Sequence, residues 1–139
     1  VKILAKNFWK IDVEFFDADE DYIDCISNNN AGLVIGDRTF NLKDSFLYQY
    51  DLAEEWFKYT NLPFVFACWV ANKPLSKEFK QQFNNALKYG VDNKSLVVDQ
   101  NTKNTNIDLY RYLNENISWD FDSQKRSALK KFFSLCRNL

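Results

Sequence analysis

The sequence predicts an α/β fold, because two apolar runs typical of buried strands lie between segments of helical periodicity. The first run, residues 31–35, is continuous and includes β-branched side chains, as in a strand that is covered on both faces. The second run, residues 64–70, follows Pro63, which is tolerated at the first position of a strand. Strands that alternate with helices and precede a helical tail are typical of α/β architecture.

The pattern of residues in the N-terminal part of the chain predicts short helices and strands joined by turns. Apolar residues recur at helical spacing over residues 2–10, which indicates a helix. Residues 19–24 are acidic and favour a second, short helix, because carboxylates stabilise the first turn. The Asn run at 28–30 predicts a turn, and residues 13–16 and 48–50 are weaker strand candidates.

Capping residues mark the longer helices. Asp51 begins a capping-box spacing, and Trp56 lies on the apolar stripe of the helix that follows. Glu54 and Glu55 are expected on the exposed side of this helix, opposite Trp56, as capping and solubility residues.

Two more helices are predicted further along the chain. Ser76 is expected to cap a helix that ends at Gly90, and Asp122 is expected to cap the last helix. We therefore predict an α/β lobe over residues 1–75, incomplete at its N-terminus. A C-terminal helical segment, residues 76–139, is expected to pack back on the lobes.

The composition excludes several kinds of site and partner. The absence of His removes Ser-His-Asp machinery and His-based zinc sites, and three Gly residues cannot form GxGxxG or P-loop motifs. Eighteen basic and nineteen acidic residues lack the clustered basic face of nucleic-acid binders. We therefore expect no His-based zinc site, no nucleotide cofactor bound by such loops and no nucleic-acid partner.

Hydropathy and cysteine content predict a chain without a membrane span, in a reducing compartment. The longest apolar run, residues 64–71, is much shorter than the roughly 20 residues of a membrane span, so no membrane partner is expected. Cys25, Cys68 and Cys136 lie far apart in apolar surroundings. This pattern favours buried free thiols in a reducing compartment over a disulfide framework.

Three motifs resemble one enzyme family. They are Ala31-Gly-Leu-Val-Ile-Gly-Asp-Arg38, Tyr50-Asp-Leu-Ala-Glu-Glu-Trp56 and Leu62-Pro-Phe-Val-Phe-Ala-Cys-Trp-Val-Ala71. In this order and spacing they are similar to the second half of the chorismate dehydratases of the futalosine route to menaquinone. The resemblance covers nearly the whole chain.

The resemblance implies a type-II periplasmic-binding-protein-like fold, in which two α/β lobes enclose the substrate. The chain would form most of the second lobe and the C-terminal helices. The implied enzyme is a cytoplasmic carbon-oxygen lyase that converts chorismate to 3-[(1-carboxyvinyl)oxy]benzoate and water without metal or organic cofactor. Two alternatives stay open: a 1,4-dihydroxy-6-naphthoate synthase-like sister enzyme, and a non-catalytic solute-binding module of the same fold.

One family feature has no counterpart in this sequence. The Ser-Tyr-Leu-Asn-like segment of the family's first lobe is absent, and the Tyr112-Leu-Asn114 triplet falls in a late helix. The chain also contains no Met and begins at Val1. We therefore expect the first lobe to be largely missing and this chain alone to be inactive. A half-fold exposes apolar surface, which predicts self-association or domain swapping.

The candidate site residues follow the two predicted strands. Asp37 lies at the carboxyl end of the first strand, where open α/β sheets bind ligands, and it is the candidate base. The competing interpretation is that Asp37 caps a short helix over residues 38–42. Arg38 could bind a substrate carboxylate, or it could pair with Asp44. Thr39 could offer its hydroxyl to an anion.

Aromatic residues of the second strand are the remaining candidates. Phe64 and Phe66 could form an apolar wall against the substrate ring, as binding pockets usually have. For each of them, ordinary core packing is the competing interpretation.

Overall fold

The computed structural model describes residues 1–42, 45–101 and 107–139, and its regular structure there is helical. The polar stretch over residues 101–106 has no hydrophobic periodicity and predicts a loop, but it falls almost entirely outside these ranges. Helix α1 continues as one π-helical turn, and so does α5. The elements in chain order are α1 (Lys2–Leu4) with a π-turn (Ala5–Trp9), 3₁₀ helices Tyr22–Cys25 and Gly36–Leu42, α2 (Leu52–Thr60), α3 (Lys77–Asp92), α4 (Lys94–Asn101), α5 (Leu109–Arg111) with a π-turn (Tyr112–Asn116), and α6 (Ser123–Cys136).

Side-chain caps begin α2, α3 and α6, and all three predicted N-caps are confirmed. The Asp51 carboxylate accepts hydrogen bonds from the backbone N–H groups of residues 53 and 54, at 2.7 and 3.3 Å. Ser76 Oγ accepts from the N–H of residue 79 at 3.1 Å, and the Asp122 carboxylate accepts from that of residue 125 at 2.8 Å. Each bond satisfies one N–H that a helix start leaves without an intrahelical partner.

Helix α3 does not end at Gly90, so that prediction is wrong. The helix continues to Asp92, and the N–H of Asn93 still bonds to the carbonyl of Tyr89 at 3.1 Å. Lys88 and Asp92 form an i,i+4 ion pair of 2.9 Å over the last turn. This pair and the continuing backbone bonds support the helix past the glycine.

The predicted strands do not form within the described residues. Residues 13–16, 31–35, 48–50 and 64–70 carry neither helix nor strand pairing there. Strand-like residues alone do not make a strand, because its N–H and C=O groups need a neighbouring chain segment to pair with. The α/β class and the two-lobed architecture therefore stay predictions.

The structure divides into two compact units, residues 1–65 with 122–139, and residues 66–121. The predicted boundary between residues 75 and 76 differs from this division and falls inside the second unit. None of the helices in the described part of the chain combines the length and the hydropathy that a bilayer crossing needs.

The first unit is built around Trp56. This side chain is 2% exposed, and its indole N–H donates to the carbonyl of Pro63 at 3.2 Å. Its ring meets those of Phe64 and Phe132 edge-on, with centroids 5.7 and 6.0 Å apart. The indole therefore joins α2, the segment after it and α6 in one cluster.

The second unit is held by aromatic contacts on α3. The Trp69 ring packs edge-on against Phe83, with centroids 5.3 Å apart. The Phe79 ring stacks on Phe83, with centroids 5.9 Å apart. Trp119 donates its indole N–H to the carbonyl of Leu113 at 3.0 Å. Several of these large apolar side chains stay exposed, including Trp69 at 76%.

Candidate functional site

Three of the five predicted site residues lie side by side on the 3₁₀ helix Gly36–Leu42. Gly36 begins it with a positive φ of 70°, a left-handed conformation that favours glycine. The short helix expected here is confirmed, and Asp37 lies in its first turn. Asp37, Arg38 and Thr39 are all exposed. We call this element the polar turn.

The polar turn offers a cation and an anion to solvent, with one hydroxyl already engaged. Thr39 donates its hydroxyl to the carbonyl of Gly36 at 2.8 Å, so only its oxygen lone pairs remain for a ligand. This weakens the prediction that Thr39 donates to an anion. Arg38 carries a planar set of donors that matches a carboxylate. Asp44, the acid with which Arg38 could pair instead, lies outside the described residues.

The two aromatic candidates lie in different surroundings. Phe64 is partly buried in the first unit, with its ring edge-on to Trp56 and to Phe132, the latter at 5.6 Å. Phe66 belongs to the second unit and is 80% exposed. Core packing accounts for Phe64, whereas the role of Phe66 against a substrate stays a prediction.

The sequence-based placement of Glu55 is wrong. Its side chain is only 9% exposed, whereas that of Glu54 is exposed as predicted. One carboxylate oxygen accepts from the Trp9 indole N–H at 2.8 Å, and the other pairs with Lys58 at 2.6 Å. The burial of the Glu55 side chain depends on Trp9, which lies 46 residues upstream. The local helix pattern could not show this contact.

Glu55 is an anchor and not a candidate base. Hydrogen bonds from Lys58 and from Trp9 hold the pKa of Glu55 below its ordinary value. A general base works best with a pKa near the operating pH, and both oxygens of this carboxylate are already engaged. The hydrogen bond from Trp9 makes this carboxylate a fixed link between α2 and the π-turn after α1.

The thiols offer no additional centre. Cys25 and Cys68 are exposed and Cys136 is partly buried, so the prediction of buried thiols is wrong for the first two. All three are free. Within the described ranges no three Cys, Asp or Glu side chains converge on a position where they could hold a metal ion.

Comparison with known proteins places the chain in a family. Residues 1–138 match the family described as menaquinone biosynthesis, and the chain therefore belongs to it. The chain is similar to a chorismate dehydratase of Campylobacter jejuni, with 33% identity over 122 residues. The alignment covers 82% of this chain and 52% of that protein, so the chain spans about half the length of the curated relative it matches. No solved structure matches.

These findings confirm the resemblance to chorismate dehydratases that the three motifs indicated. The family match reaches nearly from end to end of the chain, as the spread of the motifs did. The match supports a place in menaquinone biosynthesis at the level of the family.

Proposed function

We propose that the chain forms part of a lyase of the chorismate dehydratase type. The reaction proposed is the conversion of chorismate to 3-[(1-carboxyvinyl)oxy]benzoate and water in the futalosine route to menaquinone. The observation that carries the proposal is the 33% identity to a chorismate dehydratase along most of this chain. The two-lobed fold, with this chain as most of the second lobe, and the cytoplasmic location belong to the same proposal.

The proposed reaction makes three demands on an active site. A base removes the ring proton from the carbon that bears the enolpyruvyl ether, and the neighbouring hydroxyl leaves as water. The ring then becomes aromatic. A positioned acid–base group lowers the barrier to proton transfer, and exclusion of water protects the step. Binding must also hold the two carboxylates of chorismate.

The polar turn is suited to the binding part of this task. Arg38 is exposed and can engage one substrate carboxylate with two parallel N–H···O bonds. Asp37, the next residue toward the N-terminus, is the base we nominate. A base at this position needs shielding from water during the reaction, and Asp37 is exposed in the structure. We therefore assign the polar turn primarily to substrate binding.

The binding role of Arg38 can be measured directly by calorimetric titration of chorismate into protein expressed from the whole open reading frame that contains these residues. We expect Arg38→Ala to weaken binding about 10- to 100-fold, as loss of a charged hydrogen-bond pair does. Arg111→Ala removes another exposed arginine and is the matched control, since that side chain is paired with Glu115 at 3.2 Å. Equal affinities for the native chain and Arg38→Ala would contradict the assignment.

The reaction itself is tested with protein expressed from the whole open reading frame that contains these residues. Chorismate is supplied and the products are separated by liquid chromatography with mass detection. We expect 3-[(1-carboxyvinyl)oxy]benzoate, with no added metal or cofactor. Unchanged chorismate, together with synthesis of 1,4-dihydroxy-6-naphthoate from its own precursor, would favour the sister enzyme instead.

A further inference from the structure

The side chain of Gln49 contacts the end of the polar turn. Its Nε2 donates a hydrogen bond to the carbonyl of Leu42, the last residue of the polar turn, at 3.1 Å. The same Nε2 lies 3.5 Å from the carbonyl of Phe46, a weaker contact. One side chain therefore bridges the end of the polar turn and the chain that follows it.

The Leu42 carbonyl lies at a helix end, where carbonyl groups have no partner within the helix. It accepts a hydrogen bond from the backbone N–H of Ser45 at 3.0 Å and another from Gln49. A carbonyl oxygen has two lone pairs, so these two donors satisfy it. The Ser45 bond closes a local turn, whereas the Gln49 bond brings in a residue seven positions further along the chain.

The residues that follow Gln49 are held by the anchored part of the first unit. The Tyr50 ring packs against that of Trp9, with centroids 6.1 Å apart, and Asp51 caps α2. Trp9 in turn donates to the Glu55 carboxylate at 2.8 Å. The backbone next to Gln49 is therefore fixed to α2 and to the π-turn after α1, and the Gln49 side chain connects the polar turn to them.

The hydrogen bond at the start of the polar turn has a different effect. Thr39 donates to the carbonyl of Gly36 at 2.8 Å, and both residues belong to the turn. This bond stabilises the shape of the turn and does not fix its position against other elements. The bond from Gln49 acts on position, because it comes from outside the turn.

We propose that Gln49 is a positioning residue, which holds the polar turn so that Arg38 meets a carboxylate of chorismate in one orientation. The inference rests on the proposed function, because it takes chorismate as the ligand of Arg38. Two parallel N–H···O bonds need the guanidinium and the carboxylate in one plane, so a small rotation of the turn weakens them. A turn that is fixed before the substrate arrives also loses less entropy on binding.

Gln49→Met tests the proposal in protein expressed from the whole open reading frame. Methionine keeps the length and the neutrality of the side chain and removes its N–H donors. Calorimetric titration should show chorismate binding weakened about 2- to 10-fold, which corresponds to the net contribution of one hydrogen bond. Gln82→Met makes the same change at an exposed glutamine of α3 and should bind as the native protein does. Equal affinities for the native protein and Gln49→Met overturn the proposal.

A double-mutant cycle separates positioning of Arg38 from a general loss of structure. If Gln49 acts through Arg38, Gln49→Met should change the affinity less than about twofold in protein that already carries Arg38→Ala. A loss of equal size with and without Arg38 overturns the positioning role and leaves chorismate binding established. A native protein that does not bind chorismate overturns the proposed function, and the positioning role with it.

Hydrogen–deuterium exchange tests the contact in the absence of any ligand. Peptides that contain the polar turn should exchange about 2- to 10-fold faster in Gln49→Met than in the native protein, because the turn opens more often without this bond. The same peptides should exchange at the native rate in Gln82→Met. Unchanged exchange in Gln49→Met would show that this side chain does not hold the turn, and it overturns the proposal whatever the affinity for chorismate.

Discussion

Helix α2 and the polar turn lie in the same unit, and they differ in how the rest of the chain holds them. Trp56 of α2 is 2% exposed and contacts aromatic rings from two other segments. Glu55 of α2 has one carboxylate oxygen bonded to a residue 46 positions upstream. The polar turn keeps Asp37 and Arg38 exposed.

The difference separates stability from recognition. Side chains of α2 are engaged by the protein itself, so changing them should alter the free energy of unfolding. The charged side chains of the polar turn face solvent, so changing them should alter ligand binding and leave the fold intact. The following changes test this division, beginning with the largest expected effect.

Trp56→Ala should have the largest effect on stability. It removes the buried indole, its aromatic contacts and its hydrogen bond to Pro63. The expected loss is about 3–5 kcal/mol in the free energy of unfolding, as for other large core truncations. Urea denaturation followed by circular dichroism measures it. Phe57→Ala on the same helix, where the ring is 54% exposed, should cost less than about 1 kcal/mol. Similar losses for both variants would contradict a core centred on Trp56.

Glu55→Gln should destabilise the protein less than Trp56→Ala, and its effect should depend on pH. The pKa of Glu55 is lowered in the folded state by Lys58 and Trp9, so ionised Glu55 stabilises the fold at every pH above the ordinary pKa of a glutamate carboxyl. That stabilisation is lost as the pH falls through the folded-state pKa. The difference between native and variant urea midpoints should therefore be largest near neutral pH and shrink in acid.

Glu54→Gln provides the matched control for this pH dependence. Glu54 precedes the anchor on the same helix, and its side chain is exposed. Its substitution should give a midpoint difference that changes little between neutral and acidic pH. If both variants converge equally with the native protein in acid, the anchoring role of Glu55 is wrong.

Two glycine substitutions give the smallest effects, and these should be opposite in sign. Gly36 has a φ of 70°, so Gly36→Ala should cost about 1 kcal/mol although an added Cβ meets no atom within 4 Å. Gly90 lies inside α3, also with open space around it, so Gly90→Ala should stabilise by about 0.5–1 kcal/mol. Thermal unfolding of both variants measures the pair. A stabilising Gly36→Ala would show that the polar turn does not need its left-handed residue.

The helix caps could be predicted from the sequence because they depend on contacts between neighbouring residues. The caps at Asp51, Ser76 and Asp122 were found because a side chain three residues from a free N–H is visible in sequence. The burial of Glu55 was missed because its partner is remote. Gly90 does not end α3 as predicted, because glycine only weakens a helix interior and the neighbouring backbone bonds continue through it.

The candidate site was predictable only in part, for a related reason. Its polar residues are adjacent in sequence, so their grouping on one turn followed directly from the motif. Phe64 and Phe66 are two residues apart, yet Phe64 is partly buried against Trp56 and Phe66 is 80% exposed. Sequence spacing could not distinguish these environments, because the burial of each side chain depends on which distant segments pack against it.

The sequence by itself determined the starts of α2, α3 and α6, the family and the grouping of the polar-turn residues, since each depends on short-range chemistry or on motif order. Only the tertiary structure decided that Glu55 is an anchor, that Phe64 packs in the aromatic cluster and that residues 66–70 are exposed. These outcomes depend on contacts between segments tens of residues apart. Free energies of burial and pairing are set by such contacts, and a one-dimensional pattern does not contain them.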